Sequence, residues 1–189
     1  HATHPVHATL RAVAAIRCLR STRVFPTVRS GLAAASRNGF RLVEFSVQND
    51  HVHLIVEADD TGALARGIRG LAVRLARAVN RALGRRGRVW ADRYHARALT
   101  TPRAVRHCVV YVLLNVRKHA VGVRGLDPCS SAPWFTGWRI PPHPPPGPSP
   151  VVAARTWLAA VSWRRHGLLG PADAPRARRR RRRDGGRPR

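Results

Sequence analysis

The stretch FRLVEFSVQNDHVHLIVEA, residues 40–58, decides the fold of this 189-residue chain. Its two halves, Phe40–Gln48 and His51–Ala58, alternate between the two sides of a strand and are rich in β-branched and aromatic residues, which predicts two strands. Asn49 and Asp50 between them favour a turn. The stretch is therefore predicted to form a β-hairpin.

The segments on either side of this hairpin predict an α+β fold. The predicted order is strand, helix, strand, strand, helix, strand, helix, which is typical of a ferredoxin-like (RRM-like) antiparallel sheet with helices on one face. The further predicted elements are a strand over 5–13, a helix over 26–38, a helix from Asp60 to Leu83, a strand from Val89 to Leu99 and a helix from Thr101 to about His119.

Composition changes along the chain predict one domain followed by less regular segments. Residues 1–140 are predicted to form the domain, and residues 141–150 are a proline-rich linker. Residues 151–170 are predicted to contain a final helix. The arginine-rich tail, residues 171–189, is predicted to be disordered.

The charge of the chain points to a polyanionic partner. The formal net charge is +26, from 35 basic and 9 acidic side chains, and 44% of the residues are hydrophobic, which is enough for a core. Lys118 is the only lysine, so nearly all the positive charge is arginine. Because much of this charge lies outside the tail, the folded part is expected to bind a polyanion, most simply nucleic acid.

The three cysteines and the hydropathy pattern exclude other classes. Cys18, Cys108 and Cys129 lie far apart without finger spacing, so neither a disulfide framework nor a structural zinc site is predicted, and a cytoplasmic location is expected. No apolar run approaches the roughly 20 residues of a membrane helix, so no membrane partner is expected. Because the sequence contains no methionine, the chain as given is expected to be truncated or trimmed.

Two histidines lie two residues apart in the second strand of the hairpin. Because strand side chains alternate between faces, His51 and His53 share a face about 6.5–7 Å apart along the strand and can close on one metal ion. With ten histidines in the chain, such a pair also arises by chance. Alone, it is as consistent with ordinary sheet residues as with a metal site.

The helix that begins near Thr101 has an apolar stripe and a separate polar line. Helical spacing places His107, Tyr111, Asn115 and Lys118 along that polar line. Taken alone, this pattern favours a tyrosine at the edge of the core and an asparagine near a helix end. The only other tyrosine, Tyr94, is assigned to the predicted strand 89–99.

Together the two patterns resemble the single-tyrosine HUH transposases, in particular the REP-associated tyrosine transposase branch. HUH denotes histidine, hydrophobic residue, histidine, as in residues 51–53, and the family also has a helix of the form Tyr-x-x-x-Asn-Pro-x-Lys-His. Residues 111–119 match that form except that Val116 stands at the proline position. The resemblance spans about residues 5–140.

The resemblance implies an enzyme of DNA transposition. It would cut single-stranded, hairpin-forming DNA through a covalent 5′-phosphotyrosine on Tyr111 and rejoin strands by the reverse step. On the same basis His51, His53 and the amide oxygen of Asn115 would hold a divalent cation, Mg²⁺ or Mn²⁺. Whether the site is built within one chain or across a homodimer stays open.

Basic side chains are expected to bind the DNA. Lys118 would contact a phosphate or the leaving group. The helix from Asp60 to Leu83 carries arginines between its apolar positions, which predicts an amphipathic basic helix that grips the DNA backbone. The arginines assigned to this role are Arg66, Arg69, Arg74 and Arg77.

Three other functions fit part of the sequence. A non-catalytic ferredoxin-like protein that binds single-stranded DNA or RNA would use the histidines as ordinary sheet residues. A domesticated transposase would keep the site without moving DNA, and a basic protein of the ribosomal type would explain the charge alone. The joint pattern of the histidine pair and the tyrosine helix favours the HUH enzyme.

Overall fold

The computed structural model describes residues 4–116, 125–170 and 173–175. Within them the chain forms a four-stranded sheet with helices on both faces. The elements are β1 Val6–Arg11, α1 Phe25–Ala33, β2 Phe40–Val47, β3 His51–Ala58, α2 Thr61–Leu83, β4 His95–Ala98, α3 Pro102–Leu113 and a short helix, α4, Trp157–Ala160.

The sheet has the order β2-β3-β1-β4 with antiparallel neighbours, which is the ferredoxin-like topology expected from the sequence. The predicted hairpin is present, with β3 at its predicted bounds. Pairing of β1 with β3 places Thr9 opposite His53, and pairing of β1 with β4 places His7 opposite Arg97. The α+β class is thus confirmed, and the register already brings β1 side chains beside the histidine pair.

The first face of the sheet is covered by α1 and α2. Alternate strand residues such as Leu10, Phe45 and Leu54 are fully or almost fully buried there, together with Ile68 and Leu75 of α2. The bounds of α2 follow from local chemistry. The Asp60 carboxylate accepts a hydrogen bond from the Ala63 amide at its start, and Gly84 adopts a left-handed φ of 64° at its end.

The opposite face of the sheet is covered by α3, which corrects the expectation of helices on one face only. Ile55 of β3 is buried here with Val105, Val109 and Val112 of α3. The apolar stripe predicted for this helix therefore packs on the side of β3 that also carries His51 and His53. A sequence pattern predicts that a helix has a buried side but does not say which face of the sheet receives it.

The strand predicted over 89–99 is interrupted. Residues 89–91 make only short backbone contacts with the end of β1, through an isolated bridge between Ala12 and Trp90, and regular pairing resumes at His95. The regular strand β4 therefore has four residues, because the intervening residues form bends rather than a ladder.

The segment after the proline-rich linker is not one long helix. Residues 152–156 form neither helix nor strand, and only α4 and a 3₁₀ helix, Ser162–His166, follow. The start of this segment is held by Glu57 of β3, which is buried and accepts hydrogen bonds from the Arg155 and Thr156 amides and from the Thr156 hydroxyl. These bonds replace helical ones at the start of the predicted helix 151–170.

This C-terminal segment packs against α3. Trp163 is 1% exposed within the second core. Arg106 of α3 donates hydrogen bonds to the Gly167 carbonyl and to Asp173. Residues 157–169 therefore brace the outer side of the helix that carries Tyr111.

Some predictions concern residues outside the described part of the chain. Lys118 and the predicted end of its helix lie there, as does nearly all of the predicted tail 171–189. Among the described residues, no helix is long and apolar enough to cross a membrane.

A buried carboxyl group makes the stability of the domain depend on pH. Burial raises the pKa of Glu44 from 4.5 to about 8, partly offset by a hydrogen bond from the Ser131 hydroxyl. Because the folded state holds this proton more tightly than the unfolded state, the contribution is most favourable below pH 4.5 and is lost as the pH rises towards 8.

Replacing Glu44 by Gln is expected to remove this loss of stability at high pH. The variant and the wild type should have similar free energies of unfolding near pH 4.5, and the variant should be more stable at pH 8–9 by an amount on the order of a few kcal/mol. Urea denaturation at several pH values measures the difference. Parallel stability curves for the two proteins would contradict the assignment.

Candidate active site

The structure brings the predicted histidine pair and tyrosine together. The ring centroids of His53 and Tyr111 are 4.9 Å apart in an edge-to-face contact, and those of His51 and His53 are 4.5 Å apart. His53 is 4% exposed. The three side chains therefore form one cluster between the second face of β3 and the C-terminal half of α3.

The imidazole ring of His51 is held by the carboxylate of Asp50. The Nδ1 atom of His51 lies 2.6 Å from Oδ1 of Asp50, which is the last residue of the hairpin turn. This hydrogen bond holds the pKa of Asp50 below its usual value. An ionised carboxylate only accepts hydrogen bonds, so Nδ1 of His51 carries the proton and Nε2 is left facing the cluster.

The imidazole ring of His53 has two polar neighbours that the sequence analysis did not identify. Nδ1 of His53 lies 3.2 Å from Nε2 of His7 and 3.1 Å from the hydroxyl oxygen of Thr9, both on β1. The alternation of residues 5–13 already placed these two on one side of a strand. What the sequence could not supply was the pairing of β1 with β3.

His7 also contacts the tyrosine. Its ring centroid is 5.9 Å from that of Tyr111, again edge to face. Burial, and secondarily the positive charge of Arg97, lowers the pKa of His7 to about 4. The His7 ring is therefore neutral at neutral pH, and the exposed Arg97 places a positive charge beside the cluster.

Asn115 lies just beyond the end of α3, one helical turn after Tyr111. The side chain is 1% exposed, and neither its amide oxygen nor its amide nitrogen has a hydrogen-bond partner among the described residues. A buried amide without partners costs on the order of 1–3 kcal/mol. Such a group is typical of a site that is completed by a ligand.

The histidine pair has the geometry of two ligands to one ion. Its Nε2 atoms are 2.9 Å apart. Metal–imidazole bonds are about 2.0–2.1 Å long, so two such ligands at a right angle lie about 3 Å from each other. The unpartnered amide of Asn115 is a further candidate donor. In the described part of the chain, no group of three or more His, Cys, Asp or Glu side chains is arranged for metal binding.

The neighbouring thiol does not belong to this donor set. Cys108 lies on α3, one turn before Tyr111, and is buried. Burial raises its pKa to about 12, with a smaller opposing effect from Arg97. A thiol that stays protonated is neither a good metal ligand nor a nucleophile.

The predicted DNA-binding arginines lie elsewhere. Arg66, Arg69, Arg74 and Arg77 are on α2, which covers the first face of the sheet, whereas Tyr111 is on the second. With Arg37 and Arg81 they line an open groove between α1 and α2, referred to below as the arginine groove. The lining of the arginine groove contains no acidic residue.

The second tyrosine is on the wrong side of the sheet to join the cluster. Tyr94 is partly buried against the first core, with Trp90, whose indole nitrogen donates to the Ala72 carbonyl. This placement supports Tyr111 rather than Tyr94 as the tyrosine of the site.

Comparisons with known proteins agree with this geometry. Residues 28–112 match the family described as "Transposase IS200 like". This match runs from α1 through Tyr111. Over these residues the match agrees with the resemblance to transposases that the sequence motifs indicated.

The fold is also similar to that of a solved protein. A REP-associated tyrosine transposase bound to a REP hairpin superposes with a TM-score of 0.55 and 19% sequence identity, over 69% of this chain and 78% of the other. At that level of identity the likeness concerns the fold. No curated protein sequence matches this chain.

Proposed function

We propose that the chain contains a transposase domain, which cuts and rejoins single-stranded DNA with Tyr111 as the nucleophile, on DNA that folds into a hairpin. The observation that supports this proposal most directly is the packing of Tyr111 against His53, with His7 and His51 on the remaining sides of His53. A tyrosine at the edge of an ordinary core would not require two imidazoles packed against it and a third beside them.

The reaction exchanges one phosphodiester for another. The Tyr111 hydroxyl oxygen bonds to the scissile phosphorus while the bond from phosphorus to the 3′ oxygen breaks. The phenol loses its proton and the 3′ oxygen gains one, which gives a 5′-phosphotyrosine and a free 3′-hydroxyl. Attack by a 3′-hydroxyl on the phosphotyrosine reverses the step, so strands can be joined without a further energy source.

The reaction needs a cation near the phosphate because the tyrosine hydroxyl is a weak nucleophile while it is protonated. A phenol with a pKa near 10 is only about 0.1% ionised at neutral pH. The pair His51 and His53, with the amide oxygen of Asn115, would hold a divalent cation, Mg²⁺ or Mn²⁺. When bound, such an ion supplies Lewis-acid polarisation of a phosphate oxygen. The exposed Arg97 beside His7 is placed to add a fixed positive charge near the phosphate.

The site is supported as one built within a single chain. Both histidines and Tyr111 meet in one protomer, without a contribution from a second copy. A homodimer is therefore not required to bring the nucleophile to the histidine pair.

The arginine groove supports a different contact with the DNA. It lies across the sheet from Tyr111, so it is placed to hold a part of the substrate other than the cut strand, such as the stem of the hairpin. Its arginines Arg66 to Arg81 follow one helix over about 22 Å. Guanidinium groups along such a row bind phosphates and make the affinity depend on salt.

Replacing Tyr111 by Phe is expected to abolish the covalent adduct while leaving hairpin binding nearly unchanged. The Phe side chain keeps the ring contacts and lacks only the nucleophilic oxygen. A labelled DNA hairpin incubated with Mg²⁺ or Mn²⁺ and run on a denaturing gel measures the adduct. The control variant Tyr94→Phe should still form it. An adduct that persists in the Tyr111→Phe protein would place the nucleophile elsewhere.

Replacing both His51 and His53 by Ala is expected to remove metal-dependent cleavage with little loss of salt-sensitive DNA binding. The variant loses both imidazole donors but none of the arginines. Cleavage at increasing Mn²⁺ concentration, with filter binding in parallel, separates the two effects. The exposed linker residue His143, replaced by Ala, is the matched control. Cleavage by the double variant at the wild-type rate would exclude the pair as metal ligands.

Removing two charges from the arginine groove is expected to weaken binding to hairpin stems. In the variant Arg69→Ala/Arg77→Ala the slope of log K against log salt should fall by about 0.9 for each phosphate that the protein no longer neutralises. The adduct on a short unpaired oligonucleotide should form at the wild-type rate. The charge-matched variant Arg17→Ala/Arg23→Ala, in the loop before α1, is the control. An unchanged salt slope in the groove variant would remove the groove from the DNA interface.

A further inference from the structure

We propose that His7 and Thr9 of β1 are positioning residues for His53: they fix which of its ring nitrogens faces the ion site. This inference rests on the proposed role of His51 and His53 as metal ligands. It concerns how a neighbouring strand, outside the two sequence motifs, prepares one of those ligands.

The two histidines present the same atom to each other and the opposite atom to a polar partner. Their Nε2 atoms are 2.9 Å apart. The Nδ1 atoms point outward, that of His51 to Asp50 at 2.6 Å and that of His53 to Thr9 and His7 at 3.1 and 3.2 Å. Each imidazole ring is therefore held at its Nδ1 atom by groups that lie outside the proposed ion site.

The chemistry of imidazole gives this arrangement a function. A neutral imidazole carries one proton, and a nitrogen that bears it has no lone pair for a metal. For Nε2 of His53 to be a ligand, the proton must sit on Nδ1 and must have an acceptor there. Asp50 is the acceptor for His51. For His53 the candidate acceptors are Nε2 of His7 and the hydroxyl oxygen of Thr9.

Sheet register makes these partners specific. Thr9 lies directly opposite His53 in the β1–β3 pairing, and His7 is the next residue on the same side of β1. The His7 ring is held in turn by its edge-to-face contact with Tyr111. One side chain thus touches both a metal-ligand candidate and the nucleophile, so it sets their relative placement. Such outer partners of a ligating histidine typically change metal affinity about 10–100-fold when removed.

The test removes the acceptors and keeps their shapes. The variant His7→Phe/Thr9→Val preserves a ring at the first position and β-branching at the second, but neither side chain can accept from Nδ1 of His53. The affinity for Mn²⁺, followed by electron paramagnetic resonance without DNA, is expected to fall about 10–100-fold. The single variant His7→Gln, whose amide oxygen can accept a hydrogen bond, should retain most of the wild-type affinity.

A matched control separates this role from general disturbance of the sheet. His95 lies opposite Thr9 on β4 and is exposed, so His95→Phe changes a neighbouring histidine that has no described contact with His53. That variant should bind Mn²⁺ as the wild type does. Equal Mn²⁺ affinity of the wild type and the His7→Phe/Thr9→Val protein would overturn the inference.

A spectroscopic measurement on the wild type tests the same point without a substitution. In Mg²⁺-loaded protein with ¹⁵N-labelled histidine, Nδ1 of His53 should show the chemical shift of a protonated nitrogen and Nε2 that of an unprotonated one. The reverse assignment would overturn the inference even if the variants failed to fold. Failure of the wild type to bind Mn²⁺ at all would instead remove the proposed metal site.

Discussion

The packing of α3 on the second face of β3 is the interaction on which the site depends. β3 is two-sided: Val52, Leu54 and Val56 are completely buried under α1 and α2, while His51 and His53 project to the other side. The second side becomes a site because α3 covers it and places Tyr111 against His53. Without that contact the histidines would be a polar patch on an open sheet.

The second core is small, and several polar contacts help to hold it together. Glu57 lies two strand positions beyond Ile55, on the same side of β3, and binds the amides that begin the C-terminal segment. Trp163 of that segment fills the space beside α3, and Arg106 ties α3 to the Gly167 carbonyl. The helix that carries Tyr111 is therefore held between the sheet and a segment far along the chain.

The two faces of the sheet divide the basic surface into two regions. The arginine groove belongs to the first face, and its lining contains six arginines and no acidic residue. The site on the second face has Arg97 at its edge and the neutral ring of His7 inside it. This separation suits a protein that grips one part of a DNA molecule and performs chemistry on another, because backbone binding and phosphate transfer make different demands on charge and solvent access.

The hairpin, the long basic helix, the helix of Tyr111 and the resemblance to a transposase family could be predicted from the sequence alone. Those features depend on local alternation, helical spacing and short motifs, which act over a few residues. The sequence also placed His51 and His53 on a common face, because strand geometry alone fixes that. Three features became visible only in the tertiary structure. α3 packs on the face of the sheet opposite α2, and the arginine row lies across the sheet from Tyr111. The segment 151–170, predicted to contain one helix, begins instead with hydrogen bonds to Glu57. His7 and Thr9 belong to the site for the same reason: their proximity to His53 comes from the register of β1 against β3, and pairing between residues about forty positions apart is not encoded in any local pattern.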